Sequence, residues 1–186
     1  MANLVYVDNS QLHRAAMNIL ESMDFLEQGR LDYAYLLNRV SPTPAKTARL
    51  YGVKGFGKQL WDDAEAAGFQ TNAFARSSNN KEKEVTCALV TDLVADAITL
   101  AKPGDHFFVV AGDRDYLPAI QRVRKLGFPV TVLFFEGQTD EKLVHAANQF
   151  VGLEAEFSHL CKPPHNNHAA DLFAEANEPH EELAGA

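Results

Sequence analysis

Four aspartates stand where carboxylates could act together. Asp8 follows the apolar run Leu4 to Val7, and Asp113 and Asp115 follow the run Phe107 to Ala111 within HFFVVAGDRDY, so each run delivers acid at its end. Asp92 lies in the strongest helical pattern of the chain, Thr86 to Ala101, sharing a face with Asp96 and Thr99. Carboxylates converging on one sheet edge repel each other unless a cation lies between them or one takes up a proton. Mg²⁺, or Mn²⁺ by similar ligand preference, suits an all-carboxylate site that retains water. Such an ion can polarise a phosphoryl oxygen and generate hydroxide from bound water, so the pattern predicts hydrolysis of a phosphodiester or phosphate ester. Asp8 and Asp113 are expected to hold the ion, with Asp92 and Asp115 as ligands through water or as orienters of the nucleophile. Any one of these residues alone also suits a turn or cap: Gly112 permits a tight turn, Asp115 reads as an N-cap, and Pro118 falls in the first turn of the next helix.

The elements that must position these residues alternate. Strands are expected at Leu4–Val7, Thr47–Val53, Phe69–Ala75, Phe107–Ala111 and Val130–Phe135, with a last one near Ala155–Leu160. Helices are expected from Leu12 toward Gly29, over Leu31–Val40, Leu60–Ala67 and Thr86–Ala101, after Asp115, and over Glu141–Val151. Arg76–Glu84 reads as a polar loop bordering the site, and the single Trp61 as a packing residue. Strands alternating with helices through short connections call for a right-handed, mostly parallel sheet covered on both faces, a three-layer α/β/α sandwich. In open sheets of this kind, ligands collect outside the carboxyl ends of the strands.

At 186 residues, 46% hydrophobic and 23% charged, the chain suits one domain, expected over residues 1–162. Residues 163–186 read as an acidic, disordered tail: they hold five carboxylates and no Lys or Arg, and so account for most of the net charge of −8. His165 and His168 in that tail have only weak metal-binding spacing. Between Lys46 and Lys83 the balance reverses, with seven basic residues against four acidic ones, a surface that an anionic substrate could use. Two cysteines, Cys87 and Cys161, offer no disulfide framework, and no apolar run approaches membrane length, so a cytoplasmic, non-membrane location is expected. Two rival chemistries lack their residues. A haloacid-dehalogenase-type phosphatase needs a second aspartate where Ser10 stands, and a Rossmann nucleotide site needs glycines where the chain has Asp8-Asn9-Ser10.

VYVDNSQL, KEKEVTCALVTDLV, VVAGDRDYLPAIQRVRKLGFPVTVLFF and KLVHAANQFVGL, in this order and spacing, resemble the NYN domain family, a branch of the PIN-like nucleases, in its LabA-like (DUF88) form. The resemblance runs from about Leu4 to Leu160. It implies a PIN-like sandwich and Mg²⁺- or Mn²⁺-dependent ribonuclease action at an acidic pocket, with Asp8, Asp92, Asp113 and Asp115 at the matching positions. Single-stranded RNA is the implied partner, with a homodimer or a protein partner as further associations. Asn9, Gln11, Arg76, Lys81, Lys83 and Arg114 are the expected substrate contacts. Two positions depart from the family pattern: Gln11 stands for an asparagine, and Thr86 for the aspartate of K-G-V-D. Thr86 supplies no charge, and Glu84 compensates only if it turns inward. A catalytically weakened protein of the same fold, binding RNA or a protein partner, is the alternative these departures raise.

Overall fold

The computed structural model describes residues 1–23, 29–55, 57–75 and 83–162. Arg76, Lys81, most of the expected loop and the whole acidic tail lie outside these. Asn3–Asp8 forms β1, Asn9–Ser22 α1, Arg30–Leu31 β2, Tyr33–Val40 α2, Thr47–Val53 β3, Lys58–Ala66 α3, Gln70–Phe74 β4 and Lys83–Thr99 α4. The second half follows as His106–Val110 (β5), Leu117–Lys125 (α5), Val130–Phe134 (β6), Glu141–Ala146 (α6), Gln149–Gly152 (β7), Phe157–Leu160 (α7) and Cys161–Lys162 (β8).

Six strands make one sheet in the order β4-β3-β1-β5-β6-β7, and every pairing in it is parallel. Strand alternation divides the core. Val5 and Val7 of β1 face a cluster with Leu12, Ala15, Ala16 and Leu20 of α1 and Leu36 of α2. Leu4 and Tyr6 face the opposite cluster with Leu89 and Leu93 of α4, Ile120 and Val123 of α5 and Leu143 of α6. Two apolar faces, each roofed by helices, make the α/β/α sandwich expected from the sequence. The chain builds outward from β1 to β3 and β4 on one side and from β5 to β6 and β7 on the other. A topological switch point therefore opens between the carboxyl ends of β1 and β5.

The second half corrects two expectations. The helix expected over Glu141–Val151 stops at Ala146, and Gln149–Gly152 becomes the edge strand β7. Asn148 causes the change: its N–H donates to Val130 O, and its Oδ1 accepts from Val130 N, each at 2.9 Å. These bonds start the pairing with β6, and a non-local ladder overrides a helical spacing of apolar residues. The strand expected near Ala155–Leu160 is instead a short 3₁₀ turn and α7, with only Cys161–Lys162 pairing antiparallel to Arg30–Leu31. That same pairing takes Leu31 out of the expected Leu31–Val40 helix, which starts at Tyr33 behind the cap of Asp32. Trp61 packs beside the core, as expected, above Gly52. Among the described residues, no helix is long and apolar enough to cross a membrane.

Candidate functional site at the switch point

Asp8 ends β1 and caps α1 at once. Its Oδ1 accepts from the Gln11 N–H at 3.0 Å, and its Oδ2 accepts from the Tyr116 hydroxyl at 2.6 Å. The residue is only 2% exposed. Burial pushes its carboxyl above the usual carboxylate range, while the bonds from Tyr116 and the Gln11 and Ser10 amides, and the charge of Arg14, pull the other way. Tyr116 is itself fully buried; burial, then the charge and acceptance of Asp8, raise its phenol and keep it protonated as the donor. Thr86, in the first turn of α4, places Oγ1 3.5 Å from that hydroxyl.

The Gly112-Asp113 loop after β5 is stitched to α1 by Gln11, whose Oε1 accepts from the Gly112 N–H at 3.0 Å and the Asp113 N–H at 3.2 Å. Gln11, expected to touch substrate, thus spends its amide oxygen on the loop. Glycine is required at 112 by close approach rather than by an unusual turn: a Cβ there would lie 2.5 Å from both Gln138 O and the Phe134 ring. Asp113, not Asp115, is the cap, its Oδ1 accepting from the Asp115 N–H at 3.0 Å. Asp113, Arg114 and Asp115 are all exposed. Beside them, Gln11, Arg14, Asp113, Arg114, Gln138 and Asp140 line a cleft of about 290 Å³.

The other expected residues have partners or surroundings of their own. Asp92 accepts from the Tyr51 hydroxyl at 2.8 Å and pairs with Arg49 Nη1 at 2.8 Å. One turn on, Asp96 pairs with Arg49 Nη2 at 3.1 Å and accepts from the Tyr6 hydroxyl at 2.7 Å. Sequence reasoning placed Asp92 and Asp96 on one face but missed the cation between them, although Arg49 and Tyr51 alternate with Leu50 in the strand expected there. Asn9 is fully enclosed, its Oδ1 accepting from the Tyr33 hydroxyl at 2.7 Å, so it ties α1 to α2. Glu84 and Lys83 are exposed at the start of α4. Tyr116 was missed as a site residue; the only signal was a phenol at the position after an acidic pair.

The sequence leads to the expectation of a divalent ion, and the donor set tests whether one fits here. Among the described residues, no group of three or more His, Cys, Asp or Glu side chains could hold a metal ion. Asp8 takes a proton donor on each oxygen and is almost without solvent, Asp92 is bound to Arg49, and Thr86 contributes a neutral hydroxyl. The residues present do not make the expected carboxylate cage.

Compared with curated proteins, the sequence finds no match. Among solved structures it resembles a protein of unknown function, VPA0982 from Vibrio parahaemolyticus RIMD 2210633, at 16% identity and a TM-score of 0.64, over 82% of this chain and 93% of that one. A fainter likeness, 14% identity and a TM-score of 0.32 over 88% of this chain and 55% of that one, is to the Vibrio vulnificus NanR protein complexed with ManNAc-6P; it carries no weight for the fold. The NYN domain model matches residues 3–154, which takes in β1, the switch point, α4 and the whole parallel sheet. This chain belongs to the NYN domain family, within the PIN-like nuclease superfamily.

Proposed function

We propose that this NYN domain binds single-stranded RNA along the carboxyl edge of its sheet and hydrolyses it weakly or not at all. The observation that carries this reading is the state of Asp8, enclosed and hydrogen-bonded through both oxygens, one of them to a phenol that has a threonine rather than an acid as its other neighbour. An attenuated centre still leaves a surface for phosphate. Lys54 follows β3, Lys83 opens α4 and Arg114 follows β5; all three are exposed, and none has an acidic partner among the described residues. Arg76 and Lys81 belong to the same stretch of sequence. Phosphate contacts of this kind give affinity that needs no metal and falls steeply with salt.

A metal-dependent ribonuclease is the second reading, favoured by Gln11, which donates its N–H to Asp8 and holds the Gly112-Asp113 loop with its amide oxygen, so that both acidic strand ends are tied to the same turn of α1 at the switch point. It would draw on Asp8, Asp113 and Asp115 with Mg²⁺ or Mn²⁺. One experiment separates the two: binding and cleavage of a labelled single-stranded RNA by the wild type and Asp113→Asn, in Mn²⁺, Mg²⁺ or EDTA. Binding in EDTA that weakens with salt, with equal inertness of both proteins, is the expected result. Cleavage that requires both metal and Asp113 would install the second reading, and absence of binding at low salt would remove the first.

A further inference from the structure

We propose that the Tyr116 hydroxyl, backed by Thr86, is a built-in substitute for a divalent cation at Asp8, so that one acidic substitution at Thr86 creates a metal site. Three separate elements meet at this point, each bringing one oxygen: Asp8 from the end of β1, Tyr116 from the turn after β5, and Thr86 from the first turn of α4. A shared cation commonly draws such elements together by relieving repulsion between carboxylates. Here only one of the three oxygens belongs to an acid, and the other two belong to hydroxyls, so a proton shared at 2.6 Å makes the junction.

Space supports the same conclusion. Mg²⁺ takes oxygens at about 2.0–2.1 Å in octahedral geometry and usually keeps several waters. Asp8 is 2% exposed and Tyr116 is fully buried, which leaves no room for a hydrated ion unless the phenol withdraws. The phenol is held in place: its backbone N–H donates to Asp113 O at 3.2 Å, and its ring packs in the cluster with Val85, Leu89 and Ala119. Asp113 and Asp115 add little demand for a cation, because exposed carboxylates are screened by water. At position 86 an aspartate would set a second carboxylate across the hydroxyl from Asp8; the repulsion that attracts a cation would return, and an ion bound there would take the place of the phenol between the two acids, drawing it aside at a cost in packing.

The inference does not rest on RNA binding, and its test does not read RNA. Thermal unfolding of the full chain is followed in EDTA, Mg²⁺ or Mn²⁺, together with Mn²⁺ binding by electron paramagnetic resonance. The wild type should unfold at the same temperature in all three and bind no Mn²⁺ at this site. Thr86→Asp should unfold earlier in EDTA and gain stability with Mn²⁺, by about 5–10 °C at a hundredfold excess over Kd. If Thr86→Asp does not fold, Tyr116→Phe replaces it and should unfold earlier than wild type by the same amount with and without metal. Wild-type stabilisation by Mn²⁺ that Asp8→Asn abolishes would overturn the proposal. So would a folded Thr86→Asp that binds no Mn²⁺, or a Tyr116→Phe as stable as the wild type. This inference shares with the proposed function the observation at Asp8, but none of these results alters the RNA affinity expected in EDTA, so failure of this inference and failure of RNA binding are distinguishable.

Discussion

Replacing Arg49 with methionine keeps most of the aliphatic stem and deletes the charge between two acids. Asp92 and Asp96 both pair with this guanidinium, whose side chain is 22% exposed; those of its partners are 35% and 10% exposed. After the change, among the described residues, Asp96 keeps only the Tyr6 hydroxyl and Asp92 only the Tyr51 hydroxyl. Breaking a buried pair by removing one partner costs about 3–5 kcal/mol. Asp92 is open enough to regain water and solvent screening. The expected cost is therefore about 2–3 kcal/mol, or a fall in Tm of roughly 4–12 °C for a domain of this size. Urea unfolding measures it directly, and adding Asp96→Asn to Arg49→Met should recover part of the loss, because the stranded charge is removed. Stability of Arg49→Met within about 0.5 kcal/mol of wild type, the range of ordinary surface substitutions, would refute the account of Asp92 and Asp96 as partners of a structural cation.

Two further outcomes are expected. Gln11→Ala leaves the buried Gly112 N–H without its acceptor, while the exposed Asp113 N–H finds water. It should cost about 1–3 kcal/mol and loosen the loop, read as faster amide exchange at residues 112–115. Gln11→Glu retains an accepting oxygen for both N–H groups and should keep that protection; if Gln11→Ala exchanges like wild type, Gln11 is not what holds the loop. The second outcome depends on pH. The Lys46 ammonium, 2.7 Å from Asp105, together with the amides of Lys102 and Ala2, holds the Asp105 carboxyl at about 2. A depressed folded-state value stabilises above the unfolded value and is lost as pH falls toward the folded one. Lys46→Met should thus be less stable than wild type at neutral pH, with the gap closing between about pH 4 and pH 2. A gap independent of pH across that window would contradict this assignment.

Much of the fold was legible because parallel strands buried on both faces read as short apolar runs. Thr47–Val53 appears over the expected residues, and β1, β5 and β6 within one residue at each end. The end of the helix expected over Glu141–Val151 and the strand expected near Ala155–Leu160 were read wrongly because their state depends on partners far along the chain: Val130 for Asn148, and Arg30–Leu31 for Cys161–Lys162. Of the site, Asp8 and the Gly112-Asp113 loop were legible as acid at strand ends. The binding of Asp92 by Arg49 and the bond from Tyr116 to Asp8 were not, since each joins residues more than 40 positions apart.

The sequence by itself determined the alternation of strands and helices, the delivery of Asp8 and Asp113 to strand ends, and the absence of an acid at Thr86. These follow from local periodicity and residue identity, which need no partner to be read. Only the tertiary structure decided what each carboxylate does. Whether an aspartate can serve a cation, a cap or an ion pair depends on which donors lie about 3 Å away and how much water remains. For Asp8 those donors are the Gln11 amide and the Tyr116 hydroxyl, and little water remains. For Asp92 they are Arg49 and Tyr51. Both environments are made by strands and helices that meet only when the sheet closes.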